Sequence, residues 1–107
     1  MAKTRTNVLL ATAFLSLSGL SAKGMADDSA KIEELYVKSC AVCHAAGAAG
    51  APKTGAPAEW ESRMAKGMDV LVQAVNNGLN AMPPKGMCFD CSPENYKALI
   101  EYMAKPK

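Results

Sequence analysis

Apolar residues recur along most of this chain at helical spacing, and no alternating strand pattern appears. Ile32, Leu35, Tyr36 and the Ser39–Cys40 pair follow the i, i+3, i+4, i+7 rule of one helix face. Asp27, Asp28 and Ser29 suit the start of that helix, where acidic groups meet the positive end of its dipole. Residues 45–57 are alanine, glycine and proline with few side chains able to pack, which predicts a loop. A short helix over 57–66 would carry Trp60 and Met64, and another over 69–77 would turn Leu71, Ala74 and Val75 inward and stop at Gly78. Pro83, Pro84 and Gly86 make 80–90 a loop. The clearest element comes last: Ser92 is a good N-cap, Pro93 fits the first helical position, and Tyr96, Leu99, Ile100 and Met103 form an apolar stripe. The pattern predicts an all-α fold.

The first residues follow a different rule. Lys3 and Arg5 precede a largely apolar run over 8–20, and Gly24-Met25-Ala26 has the small-x-small form of a signal-peptidase site. This is the three-part pattern of a secretory leader, so 1–26 is expected to be a signal peptide and 27–107 the mature domain. The run is short for a helix that must span a bilayer, which takes about 20 apolar residues; retention as an anchor is the alternative. The whole chain of 107 residues has 12 basic and 10 acidic side chains, but the leader holds Lys3, Arg5 and Lys23 and no acid. The mature part is therefore close to neutral, and no basic run with interleaved aromatics remains to support nucleic-acid binding.

A mature domain with Tyr36, Trp60, Phe89, Tyr96 and Tyr102 as its only aromatics has little side-chain volume for an independent core. Domains of this size usually need a staple, a metal or a cofactor. The candidate is explicit: Cys40-Ala41-Val42-Cys43-His44 is C-x-x-C-H, the attachment motif of c-type haem. Two thiols three residues apart on a helical turn project to one side and can each bond a vinyl group of the same porphyrin. The histidine that follows is carried under the ring. His44 is the only histidine in the chain.

For the opposite side of the iron the mature chain offers Met64, Met68, Met82, Met87 and Met103. Met82 stands out because Pro83 and Pro84 restrict the backbone beside it, so its thioether can be presented at little ordering cost; Met87 is the alternative, and Met103 reads as core. A second C-x-x-C, Cys88 to Cys91, is followed by serine and is not a second haem site. It is open to three readings: a disulfide, favoured by export; part of a four-cysteine zinc site, which would consume Cys40 and Cys43; or a thiol-redox pair, which would want a βαβ pattern.

The order of these motifs resembles a class I monohaem cytochrome c. The run 51–55, then Trp60, then Gly78-Leu79-Asn80-Ala81-Met82-Pro83-Pro84-Lys85-Gly86 and the pair Cys88 and Cys91 is similar in particular to bacterial cytochrome c5. The resemblance implies N- and C-terminal helices crossing around one covalently bound haem c, thioethers from Cys40 and Cys43, iron ligation by His44 and Met82, and a Cys88–Cys91 disulfide. It implies that the Pro52 carbonyl accepts the His44 N–H, that Trp60 lies near the haem propionates and that Arg63 pairs with one. The sequence departs from the family at Ile32, where many members have glycine at the helix crossing.

A His/Met pair leaves no iron position for substrate, which implies a carrier rather than an enzyme. The expectation is a soluble periplasmic one-electron shuttle. It would be fed by a membrane cytochrome reductase or quinol-oxidising complex and would deliver to a terminal oxidase or reductase, with Lys53 and Lys85 placed to steer an acidic partner. The alternatives are a haem enzyme or gas sensor with a displaceable sixth ligand, and a metal-binding or thiol-redox module without haem.

Overall fold

The computed structural model describes Gly19 and residues 23–107, with side chains from Asp28 onward. Almost all of the expected leader lies outside the described residues, and the 26/27 boundary is not marked by a change of structure. The first helix, α1, runs over Lys23–Leu35, so the acidic cluster at 27–29 lies inside it rather than at its start. The chain then widens into a π-helical turn, Tyr36–Cys40, where the N–H of Ala41 reaches back to the carbonyl of Tyr36. The short α2, Ala41–His44, follows directly.

The loop expected over 45–57 holds one 3-10 turn, Ala48–Gly50. Next come α3, Pro57–Met64, with proline in its first turn, and α4, Met68–Asn77. The 80–90 loop is more ordered than its composition suggests. Leu79 and Met82 exchange both backbone hydrogen bonds, at 3.0 and 2.8 Å, and a 3-10 turn spans Pro84–Met87. That bridge is the only strand-like pairing among the described residues.

The last helix, α5, covers Pro93–Ala104 behind a reciprocal cap: the Ser92 side chain accepts from the Asn95 N–H, and the Asn95 side chain accepts from the Ser92 N–H. Each bond satisfies an end group that the helix itself cannot.

The core forms where α5 lies against the α1 end. Tyr36, Trp60, Leu99, Ile100 and Met103 are buried together, with Ile32, Leu35, Leu71, Val72 and Val75 packed around them. Ile32 is thus accommodated within the packing at the helix crossing. Beside it the rings of Tyr36 and Tyr102 sit 5.0 Å apart at 50°. All four residues of the α5 stripe are buried. Leu71 and Val75 join the cluster as the α4 pattern predicts, whereas Ala74 is half-buried outside it. No described helix is long and apolar enough to cross a membrane.

Candidate functional site

The helical packing leaves a cleft of about 190 Å³ between the π turn, α2 and the 79–87 loop. Cys40, Cys43 and His44 line it from the π turn and α2, and Met82, Pro83 and Met87 line it from the 79–87 loop. Cys40 and Cys43 are unpaired thiols. Burial pushes the Cys40 thiol up, opposed by the Ser39 hydroxyl beside it, whose oxygen is 3.6 Å from the sulfur. Ser39 is itself buried and donates to the Leu35 carbonyl at 2.5 Å. It therefore fixes the start of the motif, a role its sequence position did not announce.

His44 is 7% exposed. Its Nδ1 lies 2.8 Å from the carbonyl oxygen of Pro52. A carbonyl only accepts, so Nδ1 carries the proton and Nε2 is the nitrogen left for a metal. The backbone around it is tied down as well: the Thr54 N–H donates to the His44 carbonyl at 2.8 Å, and the Tyr36 hydroxyl donates to the Thr54 hydroxyl at 2.9 Å. Histidines that bind metals usually have the second ring nitrogen held in this way.

Trp60 packs against the imidazole. It is absent from the cleft wall; its ring stacks behind that of His44, 5.7 Å between centres. Its indole N–H donates to the Lys53 carbonyl at 2.8 Å, and the ring supports the imidazole. Arg63 does line the cleft, with one guanidinium nitrogen 2.5 Å from the Glu59 carbonyl.

The Met82 side is built by backbone constraints. Gly86 has φ +56°, and a Cβ there would stand 3.1 Å from Met82 Cε. Ala49, Asn80, Lys85 and Met87 all hold positive φ, a costly conformation for residues other than glycine. They lie in the two loops of the cleft, where such strain tends to collect. Below the loop Cys88 and Cys91 are joined as a disulfide, with Cα atoms 5.4 Å apart, and the buried Tyr96 hydroxyl donates to the Cys88 carbonyl at 3.1 Å. Among the described residues no group of three or more histidine, cysteine or acidic side chains could hold a bare metal ion. The cleft is mostly apolar and brings together two free thiols, one imidazole with an open nitrogen and one thioether, a donor set that fits a macrocycle.

Comparisons with known proteins agree. The family described as cytochrome c oxidase, cbb3-type, subunit III, matches residues 27–103. A cytochrome c5 of Azotobacter vinelandii is 46% identical over 74 residues, 67% of this chain and 89% of that protein. A mono-haem ferrocytochrome c from Shewanella putrefaciens superposes with a TM-score of 0.63 at 59% identity, covering 71% of this chain and 94% of that one. The cytochrome c in a crystal structure of an electron-transfer complex with nitrite reductase gives a TM-score of 0.62 at 40% identity, over 67% and 88%. The chain belongs to this cytochrome c family and is a class I monohaem cytochrome c close to cytochrome c5. It carries one covalently bound haem c and is an electron-transfer protein.

Proposed function

We propose that the chain is a periplasmic one-electron shuttle, exported by a leader at 1–26 and mature from residue 27. The haem supplies the one-electron couple. Cys40 and Cys43 would hold it by thioethers, and His44 Nε2 and Met82 Sδ would bind its iron. The observation that carries this reading is that His44 and Met82 line the same cleft, while the remaining nitrogen of His44 is bonded to Pro52.

Each residue has a physical task. Pro52 orients the imidazole and raises its donor strength. The Leu79–Met82 turn and Gly86 fix the thioether in place. Thioether ligation favours the reduced ion, and two protein ligands leave substrate no iron position, so transfer without bond chemistry is the expected activity. The cleft mouth is edged by exposed apolar side chains, Val42, Leu79 and Met87 at 75, 56 and 59%. Exposed Lys53 and Lys85 lie in the two flanking loops. A small apolar patch beside positive charge suits brief encounters with an acidic redox partner. The solved nitrite reductase complex supports a reductase as one downstream class, with a terminal oxidase as the other and a membrane cytochrome reductase or quinol-oxidising complex upstream.

The test is expression of the precursor with haem-attachment machinery, followed by intact mass, N-terminal sequence and absorption spectrum of the exported protein. The expected product starts at Asp27, carries one haem and is low-spin with the weak near-infrared band of sulfur-ligated ferric iron. Met82→Ala should abolish that band. A bare polypeptide, or a band that survives in Met82→Ala, overturns the ligand assignment.

A further inference from the structure

The peptide group joining Pro52 to Lys53 is hydrogen-bonded at both ends. Its carbonyl oxygen takes the His44 Nδ1 proton at 2.8 Å. Its N–H, contributed by Lys53, donates to Oε2 of Glu59 at 2.8 Å. A carboxylate, an amide and an imidazole therefore stand in one line of two hydrogen bonds.

An amide is conjugated, so electron density gained at the nitrogen side appears at the oxygen. A carboxylate acceptor on the N–H makes the oxygen a stronger acceptor in turn, and chained hydrogen bonds reinforce one another by about 10–30% per bond. The stronger the pull on the Nδ1 proton, the more electron-rich Nε2 becomes.

The placement of Glu59 is well determined by its own element. It lies in the first turn of α3, just after Pro57. The next residue, Trp60, binds the Lys53 carbonyl from the same turn, so α3 grips Lys53 at both its N–H and its C=O. Among the described residues the one ion pair is Lys38 with Glu34, so the Glu59 carboxylate is not held in a salt bridge; the nearby Arg63 guanidinium is bonded to the Glu59 backbone carbonyl.

We propose that Glu59 is a positioning residue that acts through the Pro52–Lys53 peptide on His44, strengthening its donation to iron and favouring the ferric state. This rests on the reading of His44 as a ligand. The test uses the mature holoprotein and two readouts: the midpoint potential, and the proton resonance of His44 Nδ1–H in the ferrous form.

Glu59→Ala should shift the equilibrium toward ferrous roughly two- to threefold, about 20–30 mV at 59 mV per decade, and move the Nδ1–H resonance upfield. Glu59→Asp keeps the charge but is one methylene short of the N–H, and should behave like Glu59→Ala. Glu59→Gln retains a neutral acceptor and should give a smaller shift of the same sign, which also guards against a poorly folded alanine variant. Glu61→Ala removes an exposed carboxylate from the same helix without touching the peptide, and should leave both readouts near wild type.

Equal shifts from Glu59→Ala and Glu61→Ala with the Nδ1–H resonance unmoved would sink the proposal, because charge alone would then explain them. The ferric wild type separates the two levels. His44 ring resonances with large paramagnetic shifts, unaffected by Glu59 substitution, refute the relay only. Ring resonances at ordinary positions refute the ligand reading and the relay with it.

Discussion

A Cβ added to Gly78 would stand 2.9 Å from the carbonyl oxygen of Met82 and equally close to the Pro84 nitrogen. Gly78 has φ +82° and ψ 158°, a region essentially reserved for glycine. The turn that presents Met82 is thus closed over a residue with no side chain. Gly78→Ala should lower stability by at least about 1–3 kcal/mol and weaken the near-infrared band by displacing the thioether. Denaturant unfolding together with that band tests this; an unchanged midpoint and band would show that the turn tolerates a methyl group.

The Cys88–Cys91 bridge closes a very short loop, so its entropic effect is small. Replacing both cysteines by alanine should cost about 2 kcal/mol by the loop-closure relation. The Tyr96 hydroxyl still binds the carbonyl of residue 88, so the variant should fold and keep its haem. Comparing urea unfolding of the two proteins gives the difference directly. Loss of haem retention would show that the bridge is needed to form the cleft and not merely to stiffen it.

Tyr96 supplies a pH-dependent test. Burial, and to a lesser extent the charge of Cys40, push its hydroxyl above the usual tyrosine value. In the holoprotein a thioether at residue 40 carries no charge, so burial is the cause that persists. A group whose folded pKa is raised contributes stability that is complete below its unfolded value. That contribution falls as pH rises from about 10 through the folded value. Tyr96→Phe should cost about 1 kcal/mol at neutral pH through the lost bond to Cys88. It should also flatten part of the decline in stability above pH 10, measured by unfolding at a series of pH values. An identical slope in the variant would mean that Tyr96 does not titrate differently in the folded state.

Leu99 is 2% exposed at the centre of the α5 stripe. Leu99→Ala should cost about 2–5 kcal/mol, a large fraction of the stability expected for so small a domain. Thermal unfolding of the holoprotein should show a drop of many degrees, while a change of a few degrees would mean that the core closes over the gap.

How much of this was legible in the sequence differs by element. α5 was readable almost to the residue, because Ser92, Pro93 and the apolar stripe are local signals that agree. The start of α1 was not: Asp27–Ser29 favour a helix start, but the residues before them are also able to be helical, and the helix begins at Lys23. The motif residues and Met82 were found by spacing and by the prolines, and they do meet at one cleft. The contacts of Trp60 were not readable, because its hydrogen-bond partner is the Lys53 backbone carbonyl, which leaves no trace in side-chain pattern. Glu59 was missed for the same reason, since its acceptor role depends on the path of the 52–55 loop. The sign available was an acid two residues after a helix-starting proline, which by itself indicates only a favourable charge at a helix end.

The π turn at Tyr36–Cys40 has a rotational consequence. In a regular helix each residue advances about 100°, so His44, eight positions after Tyr36, would point about 80° away from it. One surplus residue in the turn cancels most of that offset and aims both side chains at the same loop. If the same eight steps were wound as a regular helix, the imidazole would swing out of phase with Thr54 and Pro52; deleting the exposed Val37 would instead restore regular bonding and keep the phase, because seven steps advance about 700°. The wide turn thus absorbs the surplus residue, and the ligand keeps an aim that winding all eight steps regularly would spoil.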